Sequence, residues 1–151
     1  MGKTLVIGLM SLLLLACGKQ APELTLEKID DGNVLRQADW QGKWVYINYW
    51  AEWCKPCAEE VPELNAFSKA HPDVLVLGVN FDNVAPADQL RQANALRIEF
   101  PLVAGEAVRK AFPHDLPQGL PATFVFGPDG KLVDTLQGPQ TAATLAQVMK
   151  L

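Results

Sequence analysis

Residues 44–57 have the sequence WVYINYWAEWCKPC, in which an aromatic and β-branched run leads directly into two cysteines three positions apart. An apolar run of this length is typical of a central strand that is covered on both faces. The pair Cys54 and Cys57 then lies where this strand passes into a helix. Two cysteines at this spacing are compatible with half of a metal site, a structural crosslink or a redox-active dithiol.

Strand and helix patterns alternate on either side of this segment. Helix patterns occupy 54–70, 86–98, 106–112 and 141–151, and further strand patterns occupy 24–29, 34–36, 74–81, 101–103, 123–126 and 131–136. The alternation predicts an α/β fold with a central mixed β-sheet, helices on both faces and an N-terminal β-hairpin. Pro62 is expected to kink the first helix. The second helix is expected to share one face among Leu90, Ala93, Asn94 and Arg97.

A metal site and a structural crosslink are the weaker explanations of the cysteine pair. A structural zinc ion needs four ligands, and the sequence offers only His71 and His114, which stand alone and are expected at the surface. A crosslink that closes a loop of about four residues stabilises by about 2 kcal/mol, compared with about 3 kcal/mol for fifteen residues. A chain that is 49% hydrophobic does not need that contribution. A redox role is therefore favoured, with no metal and no cofactor.

Each residue of the CKPC segment has a physical reason in a redox switch. Cys54 at the start of a helix lies where free N–H groups and the positive end of the helix dipole favour a thiolate. Lys55 adds a positive charge, and Pro56 starts a helix cleanly because its missing N–H is not needed there. Cys57 lies one turn further in and is expected to be buried and protonated. Cys54 would attack the disulfide of a partner, and Cys57 would resolve the mixed disulfide.

Two segments of the chain resemble the thioredoxin superfamily. They are VYINYWAEWCKPC at 45–57, which includes Trp53, and GLPATF at 119–124. Within the superfamily the chain is most similar to the exported TlpA/ResA-like thiol:disulfide oxidoreductases. The resemblance implies a thioredoxin-like fold and a redox-active disulfide Cys54–Cys57.

The second segment carries the position that holds a cis-proline in this superfamily. The resemblance implies a cis peptide bond before Pro121, with Leu120 facing Cys54 and pairing its backbone with a substrate peptide. The alternative is an ordinary proline at a strand edge. Leu120 differs from the threonine often found there in the subfamily, which leaves the choice of partner open.

The chain also departs from thioredoxin beneath the active site. Where thioredoxin has a buried aspartate, this chain has Asn48, which cannot relay a proton. The exported reductases often carry a glutamate three residues after the second cysteine, and Glu60 occupies that place. One hypothesis is that Glu60 assists deprotonation of Cys57. The other is that Glu60 is a solvated acid on the helix face, like Glu59.

The N-terminal residues have the pattern of an export signal. The apolar run at 5–16 is shorter than the roughly 20 residues that span a bilayer, follows Lys3, and ends in the motif LLAC at Cys17. This motif resembles the bacterial lipoprotein signal, which implies cleavage before Cys17 and a diacylglycerol on its thiol. The alternative is a buried cysteine at the end of an ordinary signal peptide or of an N-terminal helix. The expected division of the chain is a signal at 1–16, a lipidated cysteine and tether at 17–23, and a thioredoxin-like domain at 24–151.

These patterns together predict a lipid-anchored thiol:disulfide oxidoreductase of a bacterial cell envelope, facing the periplasm, where disulfides persist. We expect a reductase of extracytoplasmic protein disulfides that is supplied by a membrane electron donor of the DsbD type. Gly18 after Cys17 favours the outer membrane in a Gram-negative cell. A disulfide-forming oxidase and a non-enzymatic binding module of the same fold are the alternatives, and a peroxidase lacks its characteristic cysteine loop. A net charge of −4 argues against a nucleic acid partner.

Overall fold

Strand β3 lies at the centre of the sheet and accounts for the aromatic run before the cysteines. In the computed structural model, which describes residues 23–150, β3 (Val45–Trp50) is buried at all six positions. It pairs in parallel with β4 (Leu75–Asn80) and antiparallel with β5 (Ala122–Phe126). β6 (Leu132–Gln137) continues the sheet beyond β5, so the sheet is mixed and has the order β4-β3-β5-β6.

An N-terminal hairpin and a set of helices complete the fold, as the sequence predicts. The hairpin is a separate antiparallel pair in which Leu26 is opposite Leu35. In chain order, these elements are β1 (Thr25–Glu27), β2 (Val34–Arg36), α1 (Gln37–Trp40), α2 (Lys55–Ala70), α3 (Pro86–Leu96), α4 (Gly105–Ala111) and α5 (Ala142–Val148). The predicted strand and helix that surround the cysteine pair are both confirmed.

Alternate residues of β3 point to opposite faces of the sheet and enter two hydrophobic clusters. Ile47 and Tyr49 belong to the cluster that contains Trp40 of α1 and Val108 of α4. The other cluster combines Tyr46 with residues of α2 and α5, namely Leu64, Phe67, Leu145 and Val148. Helices therefore cover both faces of the sheet, which confirms the predicted layers.

Helix α3 buries only part of the predicted face: Ala93 is buried and Leu90 is partly buried. Its buried residues are Gln89, Gln92 and Ala93. Asn94 and Arg97 are exposed, and the helix ends at Leu96 because Arg97 adopts a left-handed φ of 59°. The physical reason is a buried pair of amide side chains. The Asn80 amide donates to Gln92 Oε1 at 2.8 Å, and this hydrogen bond allows the polar side chain of Gln92 to be buried.

Three smaller differences concern elements that are short. α1 is a four-residue helix that the sequence analysis does not predict, because one turn shows no periodicity. The predicted strand at 101–103 makes only isolated bridges, from Leu102 to Gly78 and from Val103 to Lys28. The last helix ends at Val148, before the predicted end.

Candidate active site

The two cysteines form a disulfide at the junction between β3 and α2. Cys54 is the N-cap residue of α2, and its sulfur accepts a hydrogen bond from the backbone N–H of Cys57 at 3.2 Å. Cys54 is 4% exposed and Cys57 is fully buried. Because free N–H groups and the positive end of the helix dipole meet at this position, a thiolate on Cys54 is stabilised when the disulfide is reduced.

The inner side of the disulfide is apolar. Both cysteines belong to a buried cluster with Trp50, Ala93 of α3 and Leu102. Such surroundings disfavour the charged form of a thiol, and the effect is greatest for the fully buried Cys57. A reaction in which Cys57 acts as a nucleophile therefore needs a group that can accept its proton.

The residues beside Cys54 differ in their exposure and in their contacts. The Lys55 ammonium group is in solvent, 3.9 Å from Glu59 Oε1, so its effect on Cys54 is screened. Pro56 lies in the first turn of α2, where its missing N–H costs nothing. Trp53 is exposed, and its indole N–H donates to Asp82 Oδ2 at 2.8 Å.

Glu60 is buried rather than solvated, which makes the surface-acid alternative wrong. Only 2% of the residue is exposed, and it lies three residues after Cys57 on α2. Its Oε1 accepts a hydrogen bond from the Asn48 amide at 2.7 Å, and its Oε2 accepts one from the backbone N–H of Gln140 at 3.0 Å. Burial raises the pKa of Glu60 to about 7, and the two hydrogen bonds oppose this increase only in part.

Asn48 ties Glu60 to the sheet. The same amide that donates to Glu60 lies 3.1 Å from Thr123 Oγ1, its partner residue on β5. Neither Thr123 nor Gln140 has a role that the sequence predicts. Thr123 belongs to the GLPATF segment, so its position was a usable signal, whereas Gln140 contacts the site through its backbone and has no sequence signal.

The peptide bond between Leu120 and Pro121 is cis, which confirms the expectation. Leu120 is partly buried and packs against the cluster that contains both cysteines. Ala122 follows at once as the first residue of β5, opposite Tyr49 of the central strand. The sheet thus holds the Leu120–Pro121 segment beside the disulfide.

His114 is not the surface residue that the sequence predicts. Its Nε2 is 2.9 Å from the Tyr49 hydroxyl, and its ring centroid is 4.3 Å from that of Phe124. Burial lowers the pKa of His114. Within the described part of the chain, no group of three or more histidine, cysteine or acidic residues is arranged to bind a metal ion.

The predicted export signal at 1–16, Cys17 and the tether up to residue 22 lie outside the described residues. Among residues 23–150, none of the helices has both the length and the apolar composition needed to cross a bilayer.

Solved structures with the same fold come from several bacteria. StoA from Bacillus subtilis superposes with a TM-score of 0.65 and 23% identity, covering 84% of this chain and 96% of that one. The exposed lipoprotein thioredoxin Etrx1 from Streptococcus pneumoniae strain TIGR4 gives a TM-score of 0.66 and 24% identity, covering 85% and 99%. At this level of identity the two structures establish the thioredoxin-like fold.

Sequence relatives are similar over most of the chain. The thiol-disulfide oxidoreductase ResA of Bacillus subtilis (strain 168) is 27% identical over 138 residues, which cover 89% of this chain and 74% of that protein. The thioredoxin-like protein YneN of the same strain is 30% identical over 137 residues, covering 89% and 79%. The sequence model that describes the AhpC/TSA family matches residues 17–135 of this chain. The chain therefore belongs to the AhpC/TSA family, as an enzyme similar to the ResA thiol-disulfide oxidoreductases.

Proposed function

We propose that this protein reduces disulfide bonds in extracytoplasmic proteins, with Cys54 as the attacking thiolate and Cys57 as the resolving thiol. One arrangement carries the proposal: a disulfide at the start of α2 lies one turn before a buried carboxyl group whose pKa is about 7. A helix N-terminus stabilises the nucleophile of the first step, and a carboxyl group of this pKa suits the proton transfer of the second.

In the first step, the Cys54 thiolate attacks one sulfur of the partner's disulfide. A bond forms between Cys54 and that sulfur, and the other partner sulfur leaves as a thiolate, which takes a proton from water. The positive end of the α2 dipole lowers the free energy of the Cys54 thiolate before the attack. The product is a mixed disulfide between this protein and its partner.

In the second step, Cys57 loses its proton and attacks Cys54. The Cys54–Cys57 disulfide forms, the mixed disulfide breaks, and the second partner sulfur leaves as a thiolate and is protonated. Two electrons have then passed from this protein to its partner. The buried position of Cys57 makes its deprotonation the difficult part of this step.

Glu60 is the proposed acceptor of the Cys57 proton. Residues three apart on a helix lie on the same face, one turn from each other, which is the relation of Cys57 to Glu60. A carboxyl group with an ordinary pKa is too weak a base for a buried thiol. Burial of Glu60 raises its pKa to about 7 and so brings it closer to that of the thiol.

Leu120, next to the cis-proline Pro121, is proposed to pair its backbone with that of the partner. Leu120 packs against the cluster that contains the disulfide and lies two residues before the start of β5. A backbone that is not paired within the sheet can accept an extended peptide as a short additional strand. This contact would align the partner's sulfurs for attack by Cys54.

The remaining parts of the proposal concern the location of the enzyme. We propose a signal at 1–16, a lipid anchor on Cys17 with a tether to residue 23, and a catalytic domain at 24–151. Several buried acyl chains together hold a protein at a membrane. The anchored enzyme would face the periplasm, from the outer membrane in a Gram-negative cell, and a donor of the DsbD type would return it to the reduced form.

The reduction potential of the Cys54–Cys57 pair tests the direction of electron flow. The purified protein is equilibrated with glutathione buffers of defined ratio, and the fraction of free thiol is measured. A value near −270 mV, as in thioredoxin, supports a reductase. A value near −120 mV means that the protein forms disulfides instead. A pair that does not cycle favours the non-enzymatic binding module.

A further inference from the structure

Large apolar side chains are exposed next to the disulfide. Trp53, adjacent to Cys54, is 66% exposed and Phe81 is 39% exposed. The Trp53 indole N–H donates to Asp82, the residue after Phe81, at 2.8 Å. The segment before the disulfide therefore contacts the segment that follows β4.

A cleft continues this apolar surface away from the disulfide. Phe81 and Leu116, with Tyr49 and Val79, form the apolar part of a cavity of about 190 Å³, which we name the Phe81–Leu116 cleft. Polar and charged residues form the rest of its lining, namely Asn80, Asn83, Glu106 and Arg109. Leu116, which is 56% exposed, lies in the loop between α4 and Pro121. An apolar cavity of about 150 Å³ is large enough to hold a benzene ring. The cleft is therefore large enough for one leucine or phenylalanine side chain.

The loop that carries Leu116 is held in place by buried contacts. His114 lies 2.9 Å from the hydroxyl of Tyr49, which also lines the cleft, and its ring packs on Phe124 of the central sheet. A wall that is fixed before binding loses little entropy when a ligand enters. The cleft is thus a preformed feature of the fold.

Charged groups lie beside the apolar part of the lining. Arg109 and Glu106 of α4 both line the cleft, and no ion pair among residues 23–150 includes Arg109. Its Nη1 passes over Gly105, where an added Cβ would lie only 3.3 Å away. The guanidinium group can donate hydrogen bonds to the backbone carbonyl groups of a bound segment.

We propose that the Phe81–Leu116 cleft binds an apolar side chain that lies a few residues from the reactive cysteine of the partner polypeptide. The proposal rests on the function proposed above, because a mixed disulfide at Cys54 brings the partner's chain across this surface. The exposed apolar residues Leu132 and Val133 lie on β6, at the opposite edge of the sheet from β4, and form no part of it.

The test uses nine-residue peptides with one central cysteine joined to glutathione by a mixed disulfide. The flanking residues are serine and glycine, and one leucine is moved through each flanking position in turn. Second-order rate constants for reduction by the purified, reduced protein are compared with that of the leucine-free peptide. We expect leucine at one or two neighbouring positions to increase the rate constant about tenfold, the size of a moderate interface contact.

Variants then assign the preference to the cleft. Leu116→Ser and Phe81→Ser are each expected to reduce the tenfold ratio to below about threefold. Val133→Ser, an exposed apolar residue on β6, is the matched control and should retain the ratio. Thermal unfolding of each variant shows that it is folded.

Three outcomes are distinguishable. A leucine preference that is lost in the Leu116→Ser and Phe81→Ser variants supports the cleft. Equal rates for all peptides, or a preference that these variants keep, overturn the cleft but leave the reductase function intact. Failure to reduce even the leucine-free peptide overturns the proposed function itself.

Discussion

Glu60 has an unusual pKa because of its surroundings. The side chain is buried at the contact of α2 with the sheet, and its two oxygens are held by Asn48 and by the backbone of Gln140. Desolvation favours the neutral carboxyl group, whereas the hydrogen bonds favour the carboxylate. The balance gives a pKa of about 7, so the group is able to exchange a proton near neutral pH.

The variant Glu60→Gln tests the role of this carboxyl group. A glutamine cannot accept a proton, so we expect the second step, release of the partner from the mixed disulfide, to slow by about 10- to 100-fold at pH 8. In the wild type, the rate of this step should increase with pH around 7, and the variant should lack that inflection. Quenched-flow measurement of the mixed disulfide at several pH values gives both results.

The neighbouring acid provides a control for Glu60→Gln. Glu59 is exposed, so Glu59→Gln removes the same charge at the surface and should leave the inflection in place. An unchanged pH profile in Glu60→Gln would show that Glu60 is structural and does not accept the proton.

Cys54 and Cys57 should give different results when each is replaced by serine. In Cys57→Ser the attack by Cys54 proceeds but resolution does not, so the mixed disulfide with a partner should accumulate. In Cys54→Ser only the fully buried Cys57 remains, which a partner cannot reach and whose apolar surroundings disfavour a thiolate, so little mixed disulfide should form. Non-reducing mass spectrometry after incubation with a disulfide-bonded peptide distinguishes the two variants. Equal trapping by both would contradict the assigned order of attack.

At the scale of elements, close contact between β4 and the segment at 101–103 is possible because Gly78 has no side chain. Gly78 lies in β4, and its backbone N–H donates to Pro101 O at 2.8 Å while its carbonyl accepts from Val103 N at 3.0 Å. An added Cβ at Gly78 would lie 2.9 Å from side-chain atoms of Phe100 and Leu102. Leu102 also belongs to the cluster around the disulfide, so this contact connects β4 to the site.

Gly78→Ala should therefore destabilise the protein. The added methyl group overpacks two buried side chains, and we expect a loss of about 1–3 kcal/mol in the free energy of unfolding. Gly119→Ala is the matched control, because a Cβ at Gly119 has no atom within 4 Å. Urea unfolding of both variants measures the difference, and equal stability would show that Phe100 and Leu102 move aside at little cost.

At the scale of the whole molecule, Glu60 couples stability to pH. Its pKa is about 7 in the folded protein and 4.5 as the ordinary value, so between these values the folded state binds more protons than the unfolded state. The free energy of unfolding is therefore highest, as far as Glu60 determines it, below pH 4.5, where the carboxyl group is neutral in both states. This contribution is lost as the pH rises through 7. A pKa difference of this size corresponds to about 3 kcal/mol.

Urea unfolding of the oxidised protein at pH 5 and pH 8 measures this coupling. Relative to Glu60→Gln, the wild type should lose about 2–3 kcal/mol between the two pH values. Glu59→Gln should follow the wild type. Parallel curves for the wild type and Glu60→Gln would mean that the pKa of Glu60 is not raised in the folded protein.

Local sequence patterns predict those structural elements whose conformation depends on residues close together in the chain. The apolar run at 44–50 predicts the buried strand β3, and the change from a strand pattern to a helix pattern places Cys54 and Cys57 at the start of a helix. The GLPATF segment, by its resemblance to a known family, predicts the cis bond before Pro121. In each case a few consecutive residues carry the whole signal, because strand and helix periodicity are properties of the local chain.

Which polar side chains are buried is decided by the tertiary structure and is not predicted by local sequence patterns. From the sequence, Glu60 is equally compatible with a base and with a surface acid, and His114 looks like a surface residue; Glu60 is buried and His114 is half-buried. Their partners are far away along the chain: Gln140 is 80 residues from Glu60, and Tyr49 is 65 residues from His114. The sequence by itself therefore determined the strand, the helix and the cysteine pair. Only the fold brought together the distant groups that make a buried carboxyl group stable and raise its pKa, because desolvation and hydrogen bonding depend on what surrounds an atom in space.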